Sequence, residues 1–303
     1  MYKIVICIPT YKRPVSLRKL ILSISECSIN KSIIDEINLL IIDNDTELSA
    51  KKNVEELHTK FIDFFKIHYS GFQVKGLSYI RNELLRNAMQ LNPDFIVFID
   101  DDEYVTKEWL NSLMGAILTS NADAVRGPVL AVAEKPYPDN IWCWFNRENY
   151  SDGSRIYSLT TGNLILRRSS LEKYNVWFDK RFNLTGFEDS YFGIQMLKKK
   201  ATIYWASQAV TYETIPESKA NIKWLMLRNY NGAITYTIML KIEREFLKIA
   251  IKLFLSILYI VGGFITLPSI LFPLRRKYWG LLKISEGIGG IAGLLNIKFY
   301  EYK

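Results

Sequence analysis

The sequence predicts an α/β fold built on a mostly parallel sheet, and three observations carry that prediction. Short apolar, β-branched runs alternate with helix-like segments from residue 3 to residue 102, the pattern of a sheet wound on both faces. These runs contain few polar residues, which is typical of strands buried on both sides. Acidic residues directly follow two of the runs, at the strand ends where open α/β sheets bind their ligands.

The elements of the first hundred residues follow from apolar runs and from strand and helix breakers. Pro9 and Pro14 end the first strand, and Pro14 suits the first turn of the helix that follows. Gly76 opens a second helical segment. Strands are predicted at 3–9, 36–42, 66–70 and 95–99, and helices at 14–27 and 76–91.

The run Phe95–Ile99 is followed by three consecutive aspartates, Asp100, Asp101 and Asp102. Adjacent ionised carboxylates repel one another and raise each other's pKa unless a cation compensates them. Mg²⁺ or Mn²⁺ would do so, because these ions prefer carboxylate oxygens and complete their shell with water and phosphate. A solvated acidic turn before a helix near Thr106 is the alternative interpretation.

Other acidic groups also stand where local structure alone could explain them. Asp43-Asn44-Asp45 ends the second strand, and these residue types readily form Asx turns. Glu188 and Asp189 precede a helix to about Lys200, where capping favours acids. Further helices are predicted at 106–119 and 219–244, and strands at 123–132, 159–167, 201–205 and 209–214.

Residues 134–157 are rich in Pro, Asn, Asp, Tyr and Trp and predict a long surface excursion. Trp142 and Trp144 fall within it. Their rings could stack on a sugar or on lipid, and the alternative is that they pack the loop onto the protein.

The C-terminal region combines an apolar run with flanking basic residues. No residue from Leu253 to Leu274 is charged, a run of 22, although Gly262-Gly263, Pro268 and Pro273 interrupt it. Basic residues on both flanks favour a re-entrant hairpin or interfacial helices over a single crossing. A buried helix pair in a soluble dimer is the alternative. The chain thus divides into 1–215, a connecting helix at 216–245, and membrane-associating helices at 246–303.

Composition excludes several classes of protein. The formal charge is +8, and residues 246–303 carry eight Lys and Arg against two acids, which favours an anionic membrane surface over nucleic acid as partner. The three cysteines lack CxxC spacing and there are only two histidines. These counts argue against a disulfide framework, a zinc site and Ser-His-Asp chemistry.

Six motifs occur in order over about residues 1–215: CIPTYKRP (7–14), IIDND (41–45), GLSYIRN (76–82), FIDDD (98–102), GNLILRR (162–168) and GFED (186–189). Together they resemble the inverting glycosyltransferases of family 2, which have the Rossmann-like GT-A fold of nucleotide-diphospho-sugar transferases. The stretch 278–295 resembles the ends of bacterial polysaccharide and lipopolysaccharide transferases of that family.

The resemblance implies a role for each matching residue. Asp100 and Asp102 would form the family's Asp-x-Asp, with Asp102 a direct ligand of Mn²⁺ or Mg²⁺ and Asp100 near the ribose and metal. Asp189 would be the catalytic base, and Glu188, Trp142 and Trp144 are candidates for acceptor binding. The donor would be bound by Pro9, Thr10, Arg13, Asp43, Arg81, Asn82 and Asp100, with Asp43 accepting a hydrogen bond from the base, uracil. A Gln-x-x-Arg-Trp motif is missing, since Trp224 and Arg228 stand in another order, which argues against processive synthesis.

The predicted function is transfer of a sugar from a UDP-sugar to a hydroxyl of a lipid-linked saccharide or polysaccharide, at the cytoplasmic face of the inner membrane; homo-oligomerisation stays open. One alternative is a sugar nucleotidyltransferase, although residues 7–10 lack the glycine-rich phosphate loop of that class. The other is an inactive membrane-surface scaffold, against which the retained Asp102 and Asp189 argue.

Overall fold

The computed structural model describes residues 1–145 and 150–297 of the 303-residue chain. Part of the predicted excursion, and Lys298 and Lys303 of the basic tail, lie outside the described residues. The chain folds as two compact units. The first comprises the described residues within Met1–Leu130, Glu148–Arg181 and Glu188–Glu213, and the second those within Ala131–Arg147, Phe182–Phe187 and Thr214–Lys303.

Ten strands lie within the described ranges. They are β1 (Tyr2–Thr10), β2 (Ile34–Asp43), β3 (Lys66–Gly71), β4 (Phe95–Phe98), β5 (Glu103–Val105), β6 (Ala124–Arg126), β7 (Val129–Ala133), β8 (Leu164–Arg167), β9 (Ile203–Trp205) and β10 (Thr211–Ile215). Seven form one sheet in the order β3-β2-β1-β4-β8-β6-β9, and the others form a three-stranded sheet in the order β5-β10-β7.

The larger sheet is parallel except at β8, which runs antiparallel to both β4 and β6. The prediction of an α/β fold with a mostly parallel sheet is therefore confirmed. Thr10 of β1 pairs with Asp43 of β2, so their carboxyl ends meet at one edge of the sheet. Phe98 of β4 pairs with Leu164 of β8, which brings the start of β8 to the same edge.

The helices are α1 (Pro14–Ser25), α2 (Lys51–Phe61), α3 (Leu77–Gln90), α4 (Trp109–Ser120), α5 (Asp139–Trp142), α6 (Arg168–Tyr174), α7 (Glu188–Lys198), α8 (Ile222–Ile242), α9 (Phe246–Thr266) and α10 (Trp279–Leu294), with 3-10 turns at Lys180–Phe182 and Leu267–Leu271. Alternate residues of β1 serve the two faces of the sheet. Ile4, Ile6 and Ile8 pack with α1, α2 and α4, whereas Val5 and Cys7 pack with α3, α6 and α7. This period of two explains why the strand is apolar throughout.

The predicted strands at 123–132 and 159–167 are shorter than expected. The first breaks at Gly127-Pro128, where Pro128 has no backbone N–H and a Cβ on Gly127 would lie 2.2 Å from the carbonyl oxygen of Ala209. The second begins only at Leu164, because Asn163 before it has a left-handed backbone, with φ of 57°. The helix predicted near Thr106 begins at Trp109, after β5.

Asn163 holds three parts of the first unit together. Its buried side chain accepts a hydrogen bond from Trp109 Nε1 at 2.7 Å and donates to the carbonyl oxygens of Pro128 at 3.0 Å and Ala209 at 2.5 Å. Asn tolerates the left-handed backbone better than most residues. Asn therefore suits this position for two reasons: it tolerates the left-handed backbone, and its side-chain amide makes the three hydrogen bonds.

We expect Asn163→Gly to lower the free energy of unfolding by about 2–4 kcal/mol, since it leaves Trp109 Nε1 and the carbonyl oxygen of Ala209 without partners in the interior. The carbonyl oxygen of Pro128 keeps the N–H of Thr211. Asn175→Gly is the matched control, because Asn175 also has a left-handed backbone, with φ of 45°. Its side chain makes only an exposed bond from Trp177, so the control should change stability by less than about 1 kcal/mol. Urea unfolding measures both, and equal losses would show that Asn163 matters for its backbone alone.

In the second unit, α10 packs against both α8 and α9 through glycines. A Cβ on Gly290 would lie 2.1 Å from Ser256 Oγ of α9, and one on Gly289 would lie 2.3 Å from the carbonyl oxygen of Tyr230 of α8. Such close backbone approach through small residues is frequent between membrane helices. Across the described ranges, one helical stretch, Phe246–Leu271, is long and apolar enough to cross a membrane, judged by length and composition only.

Candidate active site

The aspartate triplet lies at the carboxyl edge of the sheet, and arginines compensate its charge. Asp101 is buried and accepts hydrogen bonds from Thr10 Oγ1 at 2.8 Å and Arg13 Nη1 at 2.9 Å. The same Arg13 nitrogen lies 2.8 Å from Asp102 Oδ2. Burial raises the pKa of Asp101 to about 6, and Arg13 opposes that rise. The middle aspartate is thus a structural anchor for the loop, whereas its neighbours are more exposed.

Asp100 and Asp102 remain accessible enough to meet a ligand, with side-chain exposures of 35% and 21%. Within residues 1–145 and 150–297, no group of three or more His, Cys, Asp or Glu side chains is arranged to hold a metal ion by itself. The two partly exposed carboxylates of Asp100 and Asp102 nevertheless fit a divalent ion that takes its other ligands from phosphate and water. The donor set therefore fits Mn²⁺ or Mg²⁺ only together with a bound nucleotide.

Asp43 is engaged in the turn after β2. It is fully buried, and its carboxylate accepts hydrogen bonds from the backbone N–H of Asp45 at 2.9 Å and of Ala50 at 3.2 Å and from Tyr69 Oη at 2.7 Å. The structure thus shows the Asx-turn arrangement. Recognition of uracil by this side chain stays a prediction and would require it to exchange a partner. Pro9, at the end of β1, is buried beside it in the sheet.

Arg81 connects the aspartate triplet to the start of α7. Its Nη2 donates to Asp100 Oδ1 at 3.2 Å, and its Nη1 donates to Glu188 Oε1. Both Arg81 and Glu188 are almost completely buried. Burial raises the pKa of Glu188 to about 7, with Arg81 opposing the rise and Asp189 and Asp100 adding to it.

This burial contradicts the candidate role of Glu188 in acceptor binding, because its carboxylate faces an arginine inside the protein. Asn82, predicted to hold the donor, also has an internal role. Its amide donates to the carbonyl oxygen of Phe178 at 2.8 Å and accepts from the N–H of the same residue at 2.9 Å. Asp189 is partly exposed in the first turn of α7, so it is the acid of this pair that a substrate can reach.

The aromatic residues of the excursion stack on one another within the second unit. Trp142 stacks with Tyr137, at 5.9 Å between ring centroids, and with Phe145, at 5.3 Å. Phe145 in turn stacks on Trp224, and Trp144 packs against a cluster that contains Leu225 and Leu282. These ring contacts support the alternative that the aromatic residues pack the loop onto the protein, and stacking of Trp142 on a sugar stays a prediction.

Comparison with known proteins identifies the family of this chain. Residues 5–175 match the model of the family described as "Glycosyl transferase family 2". The chain belongs to glycosyl transferase family 2. That stretch contains the aspartate triplet and Arg81, and the conclusion confirms the family predicted from the six motifs.

Relatives resemble the family 2 chain over nearly its whole length. The succinoglycan biosynthesis protein ExoM of Rhizobium meliloti (strain 1021) is 29% identical over 301 residues, 96% of this chain and 93% of ExoM. The structure of S. aureus TarS 1-349 in complex with UDP-GlcNAc has a TM-score of 0.55 at 16% identity, covering 99% of this chain and 94% of that one. Against a longer TarS chain the TM-score is 0.55 at 19% identity, with coverage of 75% and 39%. These structural likenesses concern the fold.

The sequence did not indicate that this family 2 chain has a further buried acid beside the aspartate triplet. Glu103, directly after the triplet, is 4% exposed, and burial, followed by the charge of Asp100, raises its pKa well above the usual range. A Cβ on Gly162 would lie 2.7 Å from Glu103 Oε1. The sequence indicates that another group approaches the backbone closely at Gly162, but it does not indicate that this group is the side chain of Glu103.

Proposed function

We propose that this chain transfers a sugar from a UDP-sugar to an acceptor hydroxyl with inversion at the anomeric carbon. The observation that carries the proposal is the bridge from Asp100 through Arg81 to Glu188. It joins the Asp-x-Asp and Glu-Asp motifs, which lie far apart in sequence, within one unit. A transfer reaction needs stabilisation of the leaving group and removal of a proton. The bridge brings residues suited to each of these tasks near each other.

Asp102 and Asp100 would hold the Mn²⁺ or Mg²⁺, which stabilises negative charge on the departing diphosphate. Arg13, paired with Asp101 and Asp102 and 47% exposed at its side chain, would place a further positive charge at this edge. Asp100 and Asp102 are thus assigned to the leaving group, and Arg13 to phosphate binding beside them.

Asp189 would take the proton from the acceptor hydroxyl as that oxygen attacks the anomeric carbon. The hydroxyl has a pKa far above 7, so attack at neutral pH requires such a positioned acceptor. A single displacement breaks the bond to the diphosphate while the new glycosidic bond forms on the opposite face, and it inverts the configuration.

The relatives support the choice of substrates. The TarS complex contains UDP-GlcNAc, which favours a UDP-sugar as donor here. ExoM takes part in succinoglycan biosynthesis, which favours a growing, lipid-linked saccharide of a bacterial polysaccharide as acceptor. Release of UDP by the purified chain from a panel of UDP-sugars, with and without Mn²⁺, tests the proposal.

The surface of α9 supports a membrane location for the enzyme. Apart from Lys248 and Ala250 near its start, its exposed residues are large and apolar: Phe246, Leu247, Ile251, Leu253, Phe254, Ile257, Leu258, Val261, Phe264 and Ile265. Its buried residues are Lys252, Ser256 and Gly263. A helix on a water-soluble surface has the opposite arrangement, so lipid hydrocarbon is the medium that suits this face.

Charges after α9 agree with an anionic lipid surface. Arg275 and Arg276 are exposed and Lys277 is partly exposed, and each basic residue near such a surface adds about 1 kcal/mol. Their excess favours the cytoplasmic face, where nucleotide sugars are available. The proposed location is therefore the cytoplasmic side of the inner membrane.

Phe254→Glu with Leu258→Glu should lower binding of the full chain to anionic lipid vesicles at least about tenfold, because charged groups partition poorly into hydrocarbon. Val15→Glu with Ile62→Glu is the control, since both residues are exposed and apolar on the first unit. Vesicle sedimentation measures the effect. The membrane location would be contradicted if the wild-type chain stayed in the supernatant as a dimer and the α9 substitutions dissociated that dimer. The apolar face of α9 would then be the contact with a second copy of the chain.

A further inference from the structure

Arg81 occupies an unusual position, because a single buried guanidinium serves two carboxylates from different parts of the site. Asp100 follows β4 on the donor side, and Glu188 precedes the proposed base in α7. The two acids bind different nitrogens of the fork, Nη2 and Nη1. A lysine has no such rigid fork and cannot reproduce both contacts in one geometry.

We propose that Arg81 and Glu188 are positioning residues, which hold Asp189 in place relative to the donor site without touching the substrate. This inference rests on the proposed function. Glu188 and Asp189 are consecutive at the start of α7, so a fixed Glu188 side chain fixes the first turn of that helix. Because Arg81 also binds Asp100, the same contact sets the distance between donor-side and base-side acids.

Burial makes the arrangement stiff. The side chains of Arg81 and Glu188 are 6% and 2% exposed, and separating a buried ion pair leaves charges that water cannot reach. Glu188 Oε2 is also buried and has no hydrogen-bond partner among the described residues. The carboxylate therefore depends on Arg81 for its compensation, and movement of α7 away from α3 is unfavourable.

The ionisation of Glu188 should also appear in the pH dependence of the reaction. The charged groups that face it are Arg81 of α3, Asp100 after β4 and Asp189 of its own helix, and its pKa is raised to about 7, first by burial. Below this pH Glu188 is neutral. Above it, the added negative charge beside Asp189 raises the proton affinity of the base, so kcat should increase as the pH rises through 7.

Glu188→Gln and Arg81→Lys test the positioning role. Glu188→Gln keeps an oxygen for Arg81 but cannot ionise, so we expect kcat to fall about 10- to 100-fold, the usual cost of losing a group that orients a functional side chain, and the increase near pH 7 to disappear. The KM for the donor and the affinity for UDP should change less than about threefold, because ground-state binding is not involved. Arg81→Lys should lower kcat at all pH values.

The matched controls are Glu172→Gln and Arg168→Lys, which alter an exposed Glu–Arg pair of the same unit. Hydrogen exchange of the amides in the second turn of α7, whose N–H groups donate to the carbonyl oxygens of the first turn, provides a readout that needs no turnover. Faster exchange in Glu188→Gln and Arg81→Lys, but not in the controls, is expected.

Unchanged exchange, or a Glu188→Gln enzyme with wild-type kcat and pH profile, would overturn the positioning role. Loss of UDP binding together with kcat would also overturn it, by making Glu188 part of the donor site. A wild-type chain that shows the exchange effect but turns over no nucleotide sugar would contradict the proposed function and leave the positioning contact standing.

Discussion

Replacing Asp189 by asparagine is expected to lower turnover by about 10²- to 10⁴-fold, the usual contribution of a general base. Asparagine has nearly the same shape but cannot accept the proton of the acceptor hydroxyl. Binding of the nucleotide should remain within a few-fold, because the role of Asp189 lies in the transition state. Steady-state kinetics and calorimetry with UDP measure the two quantities.

Asp94→Asn is the control, since Asp94 accepts a hydrogen bond from the N–H of Lys3 at an exposed site of the same unit. It should leave turnover near the wild-type value. If Asp189→Asn lost UDP binding and activity together, Asp189 would be a helix-capping residue whose loss disturbs the site. The assignment of the base would then be wrong.

Replacing Asp102 by asparagine is expected to lower turnover by orders of magnitude, because it removes a charged ligand where the charge of the ion dominates the electrostatics. The apparent Mn²⁺ concentration for half-maximal activity should also rise. Asp102 contacts Arg13 as well, so Arg13→Gln separates the loss of that pair from the loss of a ligand. Arg13→Gln should weaken donor binding without a comparable change in the requirement for Mn²⁺.

Retention of more than about a tenth of wild-type turnover by Asp102→Asn, equivalent to about 1.4 kcal/mol of barrier, would contradict the metal assignment. So would an Asp102→Asn enzyme that needs the same Mn²⁺ concentration as the wild type. In either case, Arg13 would be the main cation at the leaving group.

β1, β2 and β4 could be predicted from the sequence because each is a largely apolar run with a clear end. β3 was also predicted, at 66–70, although it contains Lys66, His68 and Ser70. β1 and β2 lie within one or two residues of the predicted strands 3–9 and 36–42. β5 and α6 were not predicted, since their three and seven residues carry no periodic signal. Their structure depends on tertiary partners, as in the pairing of Glu103 with Glu213.

The site could be predicted as a set of acids at strand ends, but not as a network. Arg13 and Asp101 are 88 residues apart, and Arg81 and Glu188 are 107 apart. Residue types alone do not reveal which arginine compensates which aspartate at such separations. The same reason explains why the sequence left Glu188 as a candidate for acceptor binding, although this residue is buried against Arg81.

The division of α9 into an apolar exposed side and a buried side with Lys252 and Ser256 also needed the structure. In the sequence, the region 253–274 is apolar on all sides of a helix. It therefore predicts membrane contact but does not indicate which side of the helix faces the lipid. The packing of Gly263 against Gly280 of α10 decides which residues face inward.

The most direct test of the central claim, that this family 2 chain is a metal-dependent transferase using a UDP-sugar, is UDP release by the full-length protein in anionic lipid vesicles. We expect release from at least one UDP-sugar that requires Mn²⁺ or Mg²⁺, increases when a lipid-linked saccharide is supplied, and is lost in Asp102→Asn and Asp189→Asn. Release at the same rate in both variants, or no release from any UDP-sugar with the metal and the acceptor present, would contradict the claim.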